Sequence, residues 1–115
     1  MKNDSVFKDL ETEKLNSVNF VQDYFQLVIG TYILSIFSKI TLHTQDGDVV
    51  CGQNNFRDTL CKTIGKTVLE CSEDKKGLII KFSGNISFEI SFLEKDTDIP
   101  EFLEMMDKNG FIITV

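Results

Sequence analysis

A strict alternation of apolar and polar residues in the second half of the chain constrains its fold more than any other feature. Residues 86–92 divide into two sets, with Ile86, Phe88, Ile90 and Phe92 in one and Ser87, Glu89 and Ser91 in the other. A period of two residues is typical of a β-strand with one buried and one solvated face. The pattern therefore predicts an antiparallel sheet, because such a sheet can expose one face to water.

The residues before this strand predict how it joins its neighbour. Residues 78–82 form a second apolar strand, and residues 83–85 lie between the two. A three-residue loop pairs Phe82 with Ile86 on one face, whereas a two-residue loop would place a serine opposite Ile86. We therefore predict the three-residue loop, with Asn85 in the left-handed conformation that asparagine tolerates.

A similar arrangement occurs in the first half of the chain. A two-residue type II′ hairpin at Gly30 pairs Ile29 with Tyr32. Residues 15–37 and 66–92 then look like two copies of one three-strand meander, each with an acidic turn and a glycine hairpin. We predict a mostly antiparallel curved sheet or half-barrel of roughly six to eight strands. The two meanders would form two related sheets or two halves of one sheet.

A short helix is predicted between the meanders. It follows strands at residues 40–44 and 49–50, which a tight turn at Asp46 and Gly47 joins. Asn54 or Asn55 can cap the N-terminal end of this helix, and Gly65 can cap its C-terminal end. Four apolar residues recur at helical spacing between the caps: Phe56, Leu60, Cys61 and Ile64.

A second short helix is predicted in the acidic stretch near the C-terminal end. Asp98 and Glu101 form a pair that resembles a capping box, Pro100 lies in the first turn, and Gly110 ends the helix. Residues 111–115 then form a closing strand. Three apolar residues of the helix would face inward: Phe102, Leu103 and Met106.

The length of 115 residues favours one compact domain. We predict a single α+β domain over residues 15–115. Residues 1–14 are predicted to be an N-terminal extension or a short helix, with Phe7 and Leu10 as its only apolar anchors.

Charge excludes two classes of partner. The formal net charge is −6 and the isoelectric point is near 4.7, so nucleic acids and anionic membranes would repel the chain. Residues 24–42 are long enough to span a membrane, but polar residues interrupt them, and we predict no membrane segment. A basic protein is the natural partner.

Nearly all of the net charge lies within residues 94–107, where six acids accompany one base. On the predicted helix, Glu101, Glu104 and Asp107 share one outward face, so their potentials add. A solvated helix face is the plain alternative. We predict a main group of partner-binding acids and a second candidate edge: Glu94, Asp96, Asp98, Glu101, Glu104 and Asp107 in the first, and Glu73 and Asp74 in the second.

The residues that usually carry catalysis or bind metals form no recognisable motif. His43 is the only histidine, and we predict a half-exposed strand residue because no nucleophile is marked beside it. Cys51, Cys61 and Cys71 lie ten residues apart, unlike the ligands of a zinc site or a disulfide framework. We predict Cys61 and Cys71 in the core and Cys51 exposed. The expected protein is cytoplasmic and is not an enzyme, with no metal site and no cofactor.

Two stretches and a hairpin of the chain resemble a known group of domains. They comprise Asp23, Tyr24, Gln26 and Leu27 in an early strand, then Leu60, Ile64, Gly65, Lys66 and Val68, and a glycine-centred hairpin. Over residues 15–92 the chain looks like small bacterial immunity proteins of polymorphic-toxin and contact-dependent growth inhibition systems. The resemblance implies a cytoplasmic protein that binds and blocks one cognate toxin, often a basic nuclease. No catalytic residues carry over, and the acidic stretch lies outside the matched part.

Two alternatives remain open beside a monomer or weak dimer that binds a basic toxin. One is a small-molecule-binding half-barrel, with or without catalysis, which a deep pocket beside Tyr24, Tyr32 or His43 would indicate. The other is a subunit of a homo-oligomer or larger complex. An unpaired apolar strand at residues 111–115 would be its sign.

Overall fold

Two five-stranded antiparallel sheets make up most of the structure, a computed structural model that describes residues 6–97 and 100–115. Within these residues the ten strands are β1 (Leu15–Phe20), β2 (Phe25–Ile29), β3 (Tyr32–Ile36), β4 (Ile40–Thr44), β5 (Gly47–Val50), β6 (Val68–Glu73), β7 (Gly77–Phe82), β8 (Ile86–Ser91), β9 (Leu103–Met106) and β10 (Ile112–Thr114). The same residues form one α-helix, α1 (Phe56–Lys62), and two 3-10 helices, Val6–Leu10 and Glu94–Asp96.

The strand order places the two predicted meanders in two sheets. Sheet I has the order β1-β2-β3-β9-β10, and sheet II has the order β5-β4-β8-β7-β6. The predicted mostly antiparallel α+β fold is confirmed, and so are the meanders β1–β3 and β6–β8. The ten strands form two sheets that are not closed into a barrel, so the predicted single curved sheet or half-barrel of six to eight strands is wrong and the two-sheet alternative is the one observed.

Both hairpins that the sequence predicts have the expected register. Phe82 pairs with Ile86 across a three-residue loop, and Asn85 in that loop has a φ of 62°. Ile29 pairs with Tyr32 across the two-residue loop. The apolar residues of neighbouring strands therefore lie on the same face of each sheet.

The inward faces of the two sheets enclose one hydrophobic core. Phe82 and Phe88 are fully buried there, with ring centroids 4.7 Å apart. Helix α1 packs against β1 of sheet I and against β4 and β5 of sheet II, and so joins the two sheets. The ring of Phe56 on this helix lies edge-on to that of Phe25, with the ring centroids 5.8 Å apart. The 3-10 helix Val6–Leu10 packs against β6 and buries the two predicted anchors, Phe7 and Leu10.

The second predicted helix is wrong, because its residues form a strand. β9 pairs with β3 on one side and with β10 on the other. Leu103 and Met105 face the core, whereas Glu104 lies on the opposite face. Two neighbouring strands satisfy the backbone hydrogen-bonding groups and bury alternate side chains, which outweighs helix propensity. The predicted cap Asp98 lies outside the described residues.

The first predicted helix is confirmed as α1, but two of its four predicted apolar residues are not buried. Phe56 and Leu60 are buried, whereas Cys61 and Ile64 are exposed, and Ile64 lies beyond the end of α1. Consecutive residues are separated by about 100° around a helix, so the residue after Leu60 points away from the core. Cys71 is buried and Cys51 is exposed, as predicted.

Candidate protein-binding surface

The outer face of sheet II carries charged side chains that pair with one another. The Lys81 amino group lies 3.6 Å from a Glu70 carboxylate oxygen, in the register that β6 and β7 impose. His43 on β4 lies between acids on the two flanking strands, Asp48 on β5 and Glu89 on β8. This face is therefore a solvated surface whose charges already have partners within the sheet.

Both ring nitrogens of His43 contact carboxylate oxygens. Nδ1 lies 2.8 Å from Asp48 Oδ1, and Nε2 lies 2.8 Å from Glu89 Oε1. An imidazole can donate from both nitrogens only when it is protonated. The hydrogen bond to Glu89 and the weaker effect of Asp48 raise the pKa of His43, although partial burial opposes them. The predicted half-exposed strand histidine is confirmed, with a side chain 37% exposed that links three strands.

Replacing His43 with Gln is expected to remove a pH-dependent contribution to stability. Because folding raises the pKa of His43, this contribution is fully present below the ordinary value of 6.5 and is lost as pH rises through the folded-state pKa. The partial exposure of the ring limits it to about 1 kcal/mol. Urea denaturation in mildly acidic and mildly basic buffers measures it. Ser87→Ala, on the same face, is the control. An equal pH dependence in His43→Gln and the parent would contradict the assignment.

The outer face of sheet I has a different composition. The strand registers align one apolar residue from each of four strands in a row, which we call the apolar row: Val28, Ile33, Met106 and Ile112. A second row beside it is polar: Gln26, Ser35, Glu104 and Thr114. Beyond β2 and β3, Tyr24 and Phe37 continue the alternation with ring centroids 5.2 Å apart. Apolar side chains therefore occupy much of a face that a solvated sheet would fill with polar residues.

Glu104 is the one ionisable residue in these two rows. Its cross-strand neighbours are Ser35 and Thr114, which carry no charge. The side-chain nitrogen of Gln26 donates to Ser35 Oγ at 3.1 Å, so the adjacent polar groups bond to each other. Among residues 6–97 and 100–115, no side chain forms an ion pair with Glu104. The face thus presents a half-buried carboxylate without a counter-charge from the described residues.

The structure does not gather the predicted acids on one helical face. Glu101 and Asp107 flank β9 from opposite ends, and Glu94 belongs to a 3-10 helix after β8. Two of the acids have turn-forming roles. Asp96 Oδ2 accepts a hydrogen bond from a serine hydroxyl at the end of β8, and Asp107 Oδ1 accepts backbone N–H groups of the β9–β10 turn. Asp98 lies outside the described residues.

The second predicted edge is a turn as well. Asp74 Oδ1 accepts the backbone N–H groups of Lys76 and Gly77 at 2.7 and 3.1 Å, which shapes the β6–β7 hairpin. Glu73 is the exposed last residue of β6. Of the predicted acids that the structure describes, Glu104 is the one that the strand registers place in a row of the sheet I outer face.

Sequence reasoning missed the apolar row. The four residues come from two strand pairs, β2–β3 and β9–β10, that are distant from each other in the chain, so no local window contains all four. One local pattern points to part of the row, because β2 and β3 carry apolar residues at outward positions as well as inward ones. Val28 and Ile33 are the residues in question.

Two of the clefts that the described residues border lie at the ends of the sheets and have similar volumes. One of about 400 Å³ is bordered by the β4–β5 turn, α1 and the β7–β8 turn, with Asp58 and Lys62 on its wall. The other, of about 390 Å³, includes Tyr24 and the Arg57 guanidinium, which lies 4.7 Å from the Phe20 ring centroid. Loop residues line much of both clefts, so neither resembles a pre-formed apolar ligand pocket.

The described residues show neither a helix that could span a membrane nor a metal-binding cluster. No helix in residues 6–97 and 100–115 has the length and apolar character needed to cross a bilayer. No three potential ligand side chains in the same part of the chain are arranged to hold a metal ion. Comparison with protein-family models, curated proteins and solved structures finds no match for the chain.

Proposed function

We propose that this chain is a protein-binding module that neutralises a cationic protein through the outer face of sheet I. The partner is a basic toxin of the kind that immunity proteins inhibit, as the sequence resemblance implies. Inhibition requires no catalysis by this chain, because a bound protein can cover the toxin's substrate groove. The observation that carries the proposal is the apolar row beside Glu104, a carboxylate that forms no ion pair with the described residues.

The composition of this face favours a protein partner. The centres of protein interfaces are depleted of charged residues and enriched in aromatic residues and methionine. Met106 belongs to the apolar row, and Ile112 at its end is 54% exposed. By contrast, the outer face of sheet II has charges that pair internally, as solvated faces do. Sheet I therefore offers the better contact surface.

Glu104 favours a cationic partner in particular. Burying a carboxylate beneath a partner is costly unless a positive group pairs with it. A lysine or arginine on the partner supplies that charge, and the net charge of −6 draws a basic protein towards the chain. A second copy bound face to face about an axis at Glu104 would bring two equal charges together, which is unfavourable.

Replacing Glu104 with Gln is expected to weaken binding of the toxin by about 2–5 kcal/mol, or roughly 30-fold or more in Kd. The amide keeps the shape of the side chain but leaves the partner's cation buried without a counter-charge. The candidate toxins are the basic proteins encoded beside this gene, produced together with the chain. Co-purification identifies the bound one, and calorimetry measures its affinity for each variant.

Glu94→Gln is the matched control, because it removes the same charge from an exposed site away from the sheet I rows. It should change Kd by no more than a few-fold. If both variants changed the Kd equally, the sheet I face would be excluded as the toxin-binding surface. If no neighbouring basic protein both binds the chain and loses its toxicity in the chain's presence, the proposed function is wrong.

A further inference from the structure

β10 is an edge strand of sheet I, and its outward backbone groups have no partner among the described residues. The backbone N–H of Val115 donates to the Leu103 carbonyl at 3.0 Å, and the N–H of Asp107 donates to the Phe111 carbonyl at 3.0 Å. These bonds alternate along an antiparallel pair, so Ile112 and Thr114 direct their N–H and C=O groups away from β9. No strand among the described residues pairs with that side of β10.

The other edges of the two sheets are covered, at least in part, by the chain itself. Each of β1, β5 and β6 has outward backbone groups that bond to residues outside the sheets: Leu15 N–H to the Lys66 carbonyl at 3.0 Å, Val50 N–H to Gln53 Oε1 at 2.6 Å, Val68 N–H to the Glu13 carbonyl at 2.7 Å, and Cys71 N–H to Glu11 Oε2 at 3.0 Å. β10 differs from all three, since the described residues supply no such cover.

The edge of β10 also lacks the usual protection against pairing. Edge strands commonly carry charged residues, prolines or bulges that prevent strand addition. Residues 111–115 include none of these, and Phe111 and Ile112 are 74% and 54% exposed. An apolar edge with free backbone groups is suited to accept another strand.

We propose that β10 is a strand-addition site for an extended, basic segment of the cationic partner. This inference rests on the proposed function and specifies where and how the partner binds. The added strand would pair with the free backbone groups of Ile112 and Thr114. A lysine or arginine opposite Thr114 would reach Glu104, and an apolar residue opposite Ile112 would extend the apolar row.

The spacing of strands supports this assignment. Neighbouring strands lie about 4.8 Å apart. The residue of the added strand opposite Thr114 is therefore roughly 10 Å from Glu104, which lies two strands away on β9. The side chain of Thr114 between them is short, and a long basic side chain can pass over it. In a second copy of the chain, residues 111–115 contain no cation that could pair with Glu104. Charge complementarity therefore favours a basic partner over self-pairing.

A designed peptide tests the site without the natural partner. The probe is a blocked five-residue peptide, Val-Arg-Val-Leu-Val, and its control has Glu in place of Arg. At millimolar peptide, the Ile112 and Thr114 amides should exchange their hydrogens roughly tenfold more slowly, as measured by NMR. The Ile113 amide, which faces β9, should change little. The Glu peptide should protect neither amide, and Glu104→Gln should remove the preference for Arg.

Variants of the edge complete the test. Thr114→Pro removes an outward N–H and should abolish peptide binding, whereas Thr114→Val should retain it. The proposal would be overturned if the Ile112 and Thr114 amides stayed unprotected at the highest soluble peptide concentration. Equal protection by the Arg and Glu peptides would also overturn it. Protection that grows with the concentration of the chain alone would assign the edge to a second copy instead. A toxin that responds to Glu104→Gln but leaves both amides unprotected would refute strand addition while leaving the proposed function intact.

Discussion

Replacing Phe88 with Ala is expected to lower the free energy of unfolding by about 3–5 kcal/mol. Phe88 is completely buried on β8, with Leu42 and Ile80 as its cross-strand neighbours. Its ring lies 4.7 Å from that of Phe82 between centroids. Truncation removes the buried ring and leaves a cavity among residues held by two hydrogen-bonded strands, which cannot collapse to fill it. Urea denaturation followed by circular dichroism measures the loss.

Two further variants make this prediction decisive. Because domains of this size are stable by only about 5–15 kcal/mol, Phe88→Ala could fail to fold. Phe88→Leu keeps most of the volume and should cost about 1.5 kcal/mol or less. Leu69→Ala truncates a side chain that is 62% exposed on β6 and should change stability by no more than about 0.5 kcal/mol. A loss for Phe88→Ala no larger than that for Leu69→Ala would contradict the position of the core.

The thiol of Cys71 is expected to react with iodoacetamide roughly a thousandfold more slowly than a thiol of ordinary pKa. Burial raises the pKa of Cys71 from 9.0 to about 12, and the negative charge of Glu11 adds to the effect. The thiolate is the reactive form, so its fraction at neutral pH falls by the same factor. The side chain is also fully buried, which hinders the approach of the reagent.

Cys61 is the internal reference for this measurement, because it lies on the exposed side of α1 in the same molecule. Mass spectrometry of peptides after timed labelling reports the thiols separately. Labelling in urea should bring Cys71 close to the rate of Cys61, which shows that the fold protects it. Similar native rates for the two thiols would show that β6 is not packed as described.

The hairpins could be predicted from the sequence because a short stretch contains all the determinants. The alternation around Ile86 and the loop of residues 83–85 decide the register without help from distant residues. The same holds for the hairpin at Gly30. In each case a shift of one residue would move the apolar side chains to the wrong face of the sheet.

Residues 101–107 could not be assigned from local pattern alone. Their apolar spacing and the capping-like pair before them fit a helix, whose propensity is a weak determinant. In the fold, β3 and residues 112–114 offer backbone partners on both sides, and Leu103 and Met105 are buried together. The helical face predicted for the acids does not exist for that reason. Glu104 differs from the other predicted acids because its neighbours on the adjacent strands carry no charge.

The order of residues alone determined the antiparallel meanders and the glycine hairpins of this protein, because each depends on residues that are close together in the chain. It also determined the acidic balance, because net charge is the total over all residues. Tertiary pairing decided the rest. The apolar row, the uncharged cross-strand neighbours of Glu104 and the edge position of β10 each require strands that are far apart in sequence to lie side by side. Such long-range contacts depend on the whole core, which no short stretch of residues specifies.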